Sequence, residues 1–338
     1  MLSVSRDVGI DLGTANSVVF VRHRGIVLRE PSVVAIDNDT RRVLAVGEQA
    51  RRMLGRTPGN IVAVRPLRDG VIADYDVTEM LLRHFLQQVL GRRVLFRPRV
   101  VVCVPAGVTT VERRAVLDAT LQAGARRAFL LEEPVAAALG AGLDISEPRG
   151  HMVVDIGGGT TDIAVLSLGG VVVSHSLKAG GDRFDQAIVR FVRQEFNLMI
   201  GERTAEEVKM NIGTAIPGRR TDTWDIRGRD LMTGLPRNLS LSADQVYAAI
   251  QETVTDMTGA IRMVLEQTPP EVSSDIIDRG IVLTGGGALL RDLDVHLSET
   301  TKVPVHVAED PLSCVALGTG KTLESLDVWA NILTGKES

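Results

Sequence analysis

Short apolar runs separated by polar turns fill this chain, and two of them share one plan. Met152, Val153 and Val154 form a run suited to a buried strand, residues 163–166 form another, and the glycine-rich segment between them reads as a hairpin turn. Near the N-terminus, Val8-Gly9-Ile10-Asp11-Leu12-Gly13-Thr14-Ala15-Asn16-Ser17-Val18-Val19-Phe20 repeats the scheme: apolar strand, aspartate, glycine-bearing turn with hydroxyls, apolar strand. An internal duplication of this kind predicts two related α/β lobes facing each other across one ligand, with Asp11 and Asp155 on opposite walls.

The pattern between and beyond these hairpins completes the outline. Residues 25–34 and 43–46 read as strands about the turn Asp37-Asn38-Asp39-Thr40, within a small inserted subdomain over roughly 33–66. Thr78 is placed to cap a helix with Leu81, Leu82, Phe85, Leu86 and Val89 on one face, stopped by Gly91. A strand over 100–104 ends at Pro105, Thr110 caps a helix reaching Gln122, and a strand over 128–131 leads to Glu133, with Pro134 at the first helical position. Gly180-Gly181-Asp182 precedes a helix with Phe184, Ile188, Phe191 and Val192 on one side. Thr204 and Glu207 form a capping box for the helix bearing Glu206 and Lys209. Residues 214–241 read as a second inserted subdomain. Ser242 and Gln245 open a long helix through Val246, Ile250, Val254, Met257, Ile261 and Leu265 that Pro269-Pro270 closes. A third glycine turn follows, Thr284-Gly285-Gly286-Gly287-Ala288, read as strand, glycines, helix.

Composition narrows the chemistry. The 338 residues, 44% hydrophobic and 24% charged, fit roughly two globular domains. A net charge of −4 gives no reason to expect nucleic acid as a partner. Cys103 and Cys314 lie in apolar surroundings without metal-ligand spacing, and with no signal-peptide pattern or long apolar run the expectation is an intracellular protein. Five of the 38 basic residues are lysine, which nearly excludes a P-loop. Gly318-Thr319-Gly320-Lys321-Thr322 resembles the tail of one, but Val315 stands where glycine is needed, so the stretch is read as helix surface. Gly157-x-Gly159-x-x-Asp162 likewise misses the dinucleotide fingerprint.

Gly157, Gly158 and Gly159 lack Cβ atoms, so their amides can converge on an anion. Asp155 beside them would repel a phosphate unless Mg²⁺ with its water shell stood between. Taken alone the stretch is equally a flexible turn, and the second copy at Asp11 favours the phosphate reading. Glu133 has two readings, a partner of the helix dipole or the group that orients an attacking water. Val94, Leu95 and Phe96, flanked by Arg92, Arg93, Arg97 and Arg99, either fold back into the core or form an apolar tip that enters a bilayer while the arginines hold anionic head groups.

Asp11-Leu12-Gly13-Thr14, Asp155-Ile156-Gly157-Gly158-Gly159-Thr160 and Thr284-Gly285-Gly286-Gly287 together resemble the phosphate-1, phosphate-2 and adenosine motifs of the actin, sugar kinase and heat-shock chaperone superfamily. Within it the chain resembles the MreB/Mbl family of bacterial actins, through residues 9–16, 65–74, 111–115, 132–138, 201–206 and 275–290. The resemblance implies an actin-like fold of two ribonuclease H-like lobes about a central nucleotide cleft. Its lobe I core would take residues 1–32, 67–145 and 312–338, with a small subdomain over 33–66; its lobe II core would take 146–181 and 243–311, with a small subdomain over 182–242. It further implies an ATPase, with ATP/ADP and Mg²⁺ as cofactors. That ATPase would form paired protofilaments on the inner face of the cytoplasmic membrane and guide cell-wall synthesis with MreC, MreD and RodZ.

The implied roles fall on particular residues. Asp11 and Asp155 hold hydrated Mg²⁺, and Glu133 and Thr160 place the lytic water. The amides of Gly13, Thr14, Ala15, Asn16, Gly157, Gly158, Gly159 and Thr160 cradle phosphates. Glu206, Glu207 and Lys209 with Gly285, Gly286, Gly287 and Ala288 hold ribose and adenine. Because Met1 to Asp7 is short and polar for an amphipathic helix, the membrane contact falls on Val94, Leu95 and Phe96. Asp162 stands where many MreB sequences have glutamate, a feature similar to Mbl. The alternatives are a small-molecule kinase on the same fold, a chaperone ATPase lobe, for which the chain has no length left for a peptide-binding domain, and a nucleotide-binding scaffold without turnover.

Overall fold

Strands that read as continuous apolar runs occupy the centres of two sheets, where both faces are covered and alternation is lost. The computed structural model describes residues 7–91 and 97–337, so Val94, Leu95 and Phe96 lie outside the described residues. In the first sheet the order is Thr334–Glu337, Arg127–Glu132, Arg99–Val104, Val8–Leu12, Asn16–Val21, Gly25–Pro31. In the second it is Gly170–Leu177, Thr161–Ser167, His151–Ile156, Ile281–Thr284, Val305–Val307.

Each sheet is a three-stranded antiparallel meander, and beyond its first strand the sheet continues with two parallel strands, the first paired to the meander and the second to the first. The duplication inferred from two hairpins therefore extends to five strands per lobe. The first sheet adds an antiparallel edge strand at Thr334–Glu337.

Each lobe has its own core. In the first, Val8, Ile10 and Val102 pack under Leu81, Leu82 and Phe85 of the helix Tyr75–Leu90. In the second, Val154, Ile163 and Leu283 pack with Phe184, Ile188, Val246 and Ile250. A third core joins the lobes, with Val101, Cys103 and Leu131 of one sheet and Val153, Ala164 and Leu166 of the other closing on the helices Glu133–Gly140 and Cys314–Glu324.

Those two helices cross almost backbone to backbone. A Cβ on Gly140 would lie 1.7 Å from the Cys314 carbonyl oxygen, and one on Gly318 would lie 1.9 Å from that of Ala136. The stretch 318–322 is helical as expected, but it is interior rather than surface: Gly318, Thr319, Gly320 and Thr322 are buried. Lys321 reaches out and donates to the Leu139 carbonyl at 2.6 Å. The small residues that imitate a phosphate loop serve this close crossing instead.

Two small sheets extend from the lobes. The first joins Val43–Val46, Val34–Asp37 and Ile61–Val64, with a minor core of Val33, Ala35 and Ala50. The second joins Leu198–Met199, Thr223–Asp230 and Pro236–Ser242, and its Leu198, Ile226 and Leu241 merge with the core of the second lobe.

Several helix starts differ from the sequence reading. Asp74 caps Tyr75–Leu90, accepting from Val77 N, while Thr78 lies inside and returns its hydroxyl to the Asp74 carbonyl. Thr109, one residue before Thr110, forms the capping box with Glu112. Gly201 caps Glu202–Ile212, so Thr204 is interior. The Ser242–Gln245 box forms as expected, and Pro270 not only follows one helix but starts another, Pro270–Arg279. The strand expected over 25–34 breaks at Ser32, whose amide is diverted to the Ala15 carbonyl.

Candidate functional site

The antiparallel register pairs Leu12 with Ser17, which leaves Gly13, Thr14 and Ala15 to turn the first hairpin. Ile156 pairs with Thr161, which leaves Gly157, Gly158, Gly159 and Thr160 to turn the second. The two turns meet. A Cβ on Gly158 would be 2.7 Å from Ala15 Cβ, and one on Gly159 would be 2.6 Å from Thr14 Oγ1. Glycine is needed here because the turns touch.

Residues from three other segments brace both turns, and of these Ser32 carried no signal in the sequence. Ser32 Oγ donates to the Gly13 carbonyl at 2.6 Å, and Ser32 N donates to the Ala15 carbonyl at 3.0 Å. The tight hairpin turn Asp69-Gly70 lies across both loops: Gly70 N donates to Thr14 Oγ1 at 3.1 Å, and both residues have positive φ. The Gly157 and Gly158 carbonyls accept from Gly181 N and Asp182 N, which docks the start of the helix Gly181–Phe196 on the second turn.

Below the turns lie Asp11, Glu133, Asp155 and Asp162. Asp155 is 4% exposed, and its Oδ1 accepts from Thr284 Oγ1 at 2.7 Å. Asp162 Oδ1 accepts from Ala106 N at 3.0 Å. Burial, then the charge of Asp155, pushes the Asp11 carboxyl up to about 8. Burial raises Asp155 to about 7, with Thr284 pulling down and Asp162 pushing up. Glu133 is held well above the carboxylate range by burial, then by Asp162, Asp155 and Asp11. Like charges in a low-dielectric floor oppose one another's ionisation, so a cation among them would relieve all of these at once. An all-oxygen donor set suits Mg²⁺. Among the described residues no group of three or more His, Cys, Asp or Glu is arranged to hold an ion, so a metal here would keep much of its water shell.

The other sequence-predicted positions divide. Glu206 and Lys209 are half-buried on one face of Glu202–Ile212. Lys209 Nζ lies 2.9 Å from Asp185 Oδ1 and donates to the Gly181 carbonyl at 3.0 Å, tying this helix to the start of Gly181–Phe196. Glu207 is exposed and pairs with Arg203 instead. The strand Ile281–Thr284 lies parallel to His151–Ile156, so Gly285, Gly286, Gly287 and Ala288 follow directly beside the second turn. They enter the short 3-10 turn Gly286–Leu289, not the α-helix expected. Gly285 and Gly287 are needed for packing: Cβ atoms there would lie 2.4 Å from the Ile156 carbonyl oxygen and 2.2 Å from Ile156 Cγ2. A Cβ on Gly286 would meet the flexible end of Leu312, 3.3 Å from its Cδ2.

Comparison with known proteins matches this geometry. The family model for MreB/Mbl protein covers residues 5–331. The chain is 55% identical to cell shape-determining protein MreB of Escherichia coli (98% of this chain, 97% of that one). It is 53% identical to cell shape-determining protein Mbl of Bacillus subtilis (96% and 97%). Among solved structures, MreB 5 of Spiroplasma citri bound to AMPPNP superposes with a TM-score of 0.92 at 37% identity, covering 98% of this chain and 99% of that one. The fold is actin-like, and the chain belongs to the MreB/Mbl family.

Proposed function

We propose that this chain binds Mg²⁺–ATP between its two aspartate turns and hydrolyses it. It polymerises into paired, membrane-associated filaments that direct cell-wall synthesis and maintain a rod cell shape. One observation carries the reading: two glycine turns from separate lobes touch above a single floor of four carboxylates, Glu133, Asp155 and Asp162 buried and Asp11 half-buried. Its relatives bear the name cell shape-determining protein, and one solved neighbour holds AMPPNP and another ADP.

In this account the amides of residues 13–16 and 157–160 face the phosphates, and Asp11 and Asp155 hold the metal largely through water. Mg²⁺, when bound, supplies charge neutralisation to the phosphoryl oxygens. Glu133 and Thr160 face the position of an attacking water, and Glu133, at the start of its helix, accepts the proton that water loses. Glu206 and Lys209 hold the ribose, and the backbone of residues 285–288 lies against adenine. No covalent nucleophile is required, because positioning and charge do most of the work in this chemistry.

The filament lies on the inner face of the bacterial cytoplasmic membrane. Val94, Leu95 and Phe96 enter the bilayer, and MreC, MreD and RodZ are the expected elongation partners. Among the described residues no helix is long and apolar enough to cross a membrane. Phosphate release from Mg²⁺–ATP is the test: wild type releases it, and Glu133→Gln lowers the rate by about 10²–10³ while nucleotide still binds. Unchanged release in Glu133→Gln would remove the hydrolytic role.

A further inference from the structure

Over the mouth of the cleft, side chains of the two small inserts meet as opposite charges. Arg51 ends the helix Glu48–Arg51 of the first insert, and its Nη2 donates to Glu206 Oε2 on the helix Glu202–Ile212 of the second lobe. Arg65, just past the strand Ile61–Val64, places Nη1 3.2 Å from Asp182 Oδ2 and 4.0 Å from Glu202 Oε2. Arg65, Asp182, Asp185, Gln186, Glu202 and Glu206 line one small cavity where the inserts face each other.

The charge balance gives these contacts a direction. From its own side the second lobe sets Asp182, Asp185, Glu202 and Glu206 against Lys209, an acidic mouth that opposes a polyphosphate. Arg51 and Arg65 bring two positive charges from the other lobe and cancel most of that excess. Arg51 also grips the carboxylate assigned to the ribose. A glutamate side chain left free samples many rotamers, whereas one held by a guanidinium fork is fixed.

We propose that Arg51 and Arg65 are cross-lobe positioning residues, holding the inserts closed over the nucleotide and orienting Glu206 toward the sugar, so that nucleotide release waits on a salt-sensitive clasp. The proposal rests on the nucleotide reading above. The paired side chains are partly exposed, so each contact alone is weak and partly screened. Acting together they slow opening by about tenfold.

The test has two readouts. The first is the release rate of a fluorescent ADP derivative chased with excess ATP, at low and high salt. Wild type releases slowly at low salt and faster at high salt. The Arg51→Gln/Arg65→Gln protein releases about tenfold faster at low salt, with little further effect of salt. Arg65→Asp combined with Asp182→Arg reverses that ion pair and restores slow release, which general loss of structure would not. Wild-type release that ignores salt, or a double variant that releases at the wild-type rate, overturns the proposal.

The second readout needs no nucleotide. Because Cys103 and Cys314 are buried, dyes attached at Arg42→Cys and Met232→Cys report the separation of the inserts. The Arg51→Gln/Arg65→Gln change should lengthen that separation at low salt. An unchanged separation overturns the clasp, and protein that shows the opening yet binds no ADP derivative overturns the nucleotide reading instead.

Discussion

At the scale of single residues, the site is held by contacts between partners far apart in sequence. Thr284 steadies Asp155 from 129 positions away, and Ser32 steadies Gly13 from 19. Thr284→Val should leave the Asp155 carboxylate short of a hydrogen bond, weaken Mg²⁺–ATP binding by about tenfold and leave the fold intact. Titration calorimetry against Mg²⁺–ATP measures it, and unchanged affinity would remove Thr284 from the site. Asp11, Asp155 and the glycine turns were legible because each hairpin announces itself within a dozen residues. Ser32 was not, and although Thr284 and Asp69-Gly70 stood in stretches that carried the resemblance, their contacts with Asp155 and Thr14 appear only in the folded chain.

A second residue-scale consequence concerns pH. Burial, then Arg279, holds the His151 imidazole below its ordinary value of 6.5, and burial does the same for His296. The fold favours the neutral rings, so the unfolded chain binds more protons just below that value. Their contribution to stability is complete above about 6.5 and is lost as pH falls through it. Between pH 7 and pH 5 the raised carboxyls of Asp11 and Asp155 act in the opposite sense, because the fold binds protons there, so the histidine contribution shows in a difference: as pH falls, the urea midpoint of His151→Gln should change more favourably than that of wild type. Parallel slopes in the two proteins would show that His151 is not a source of the acid sensitivity.

At the scale of elements, apolar periodicity located most strands and helices around the cleft but not Gly170–Leu177, Pro270–Arg279, Leu293–Thr301, Val305–Val307 or Thr334–Glu337, and helix starts were placed less well. Several residues near a start had a capping side chain, and periodicity alone does not choose among them. Thr109 and Thr110 are both threonines, but only Thr109 stands three residues before Glu112. Thr109→Ala should cost about 1 kcal/mol in denaturant unfolding and Thr110→Ala much less. Equal losses would contradict the observed cap.

The helix Cys314–Glu324 is the other instructive element. Its glycines imitate a phosphate loop, and the distinction lies in what a Cβ would strike. Gly318→Ala should destabilise the protein by about 2–3 kcal/mol through the crossing with Glu133–Gly140. That helix also bears Glu133, so hydrolysis should suffer as well.

At the scale of the whole molecule, the repeated five-strand arrangement puts like elements face to face, so two turns of one design meet at one place. The actin-like architecture was legible from that repetition and from the motif resemblance. The third core between the lobes was not, because it is assembled from 14 buried residues spread between Val101 and Leu323. Nor was the contact between Arg51 and Glu206, which lie 155 residues apart on separate elements. An account in which one nucleotide joins the lobes and drives assembly ties these scales together.

The most direct measurement of that account is sedimentation with anionic liposomes, with and without Mg²⁺–ATP, alongside phosphate release and electron microscopy of the pellet. The account predicts filaments on lipid only with nucleotide, accompanied by phosphate release, and both lost in Asp155→Asn. Protein that stays monomeric in the supernatant while consuming ATP, faster when a small hydroxylated metabolite is added, would contradict it and identify a kinase on the same fold.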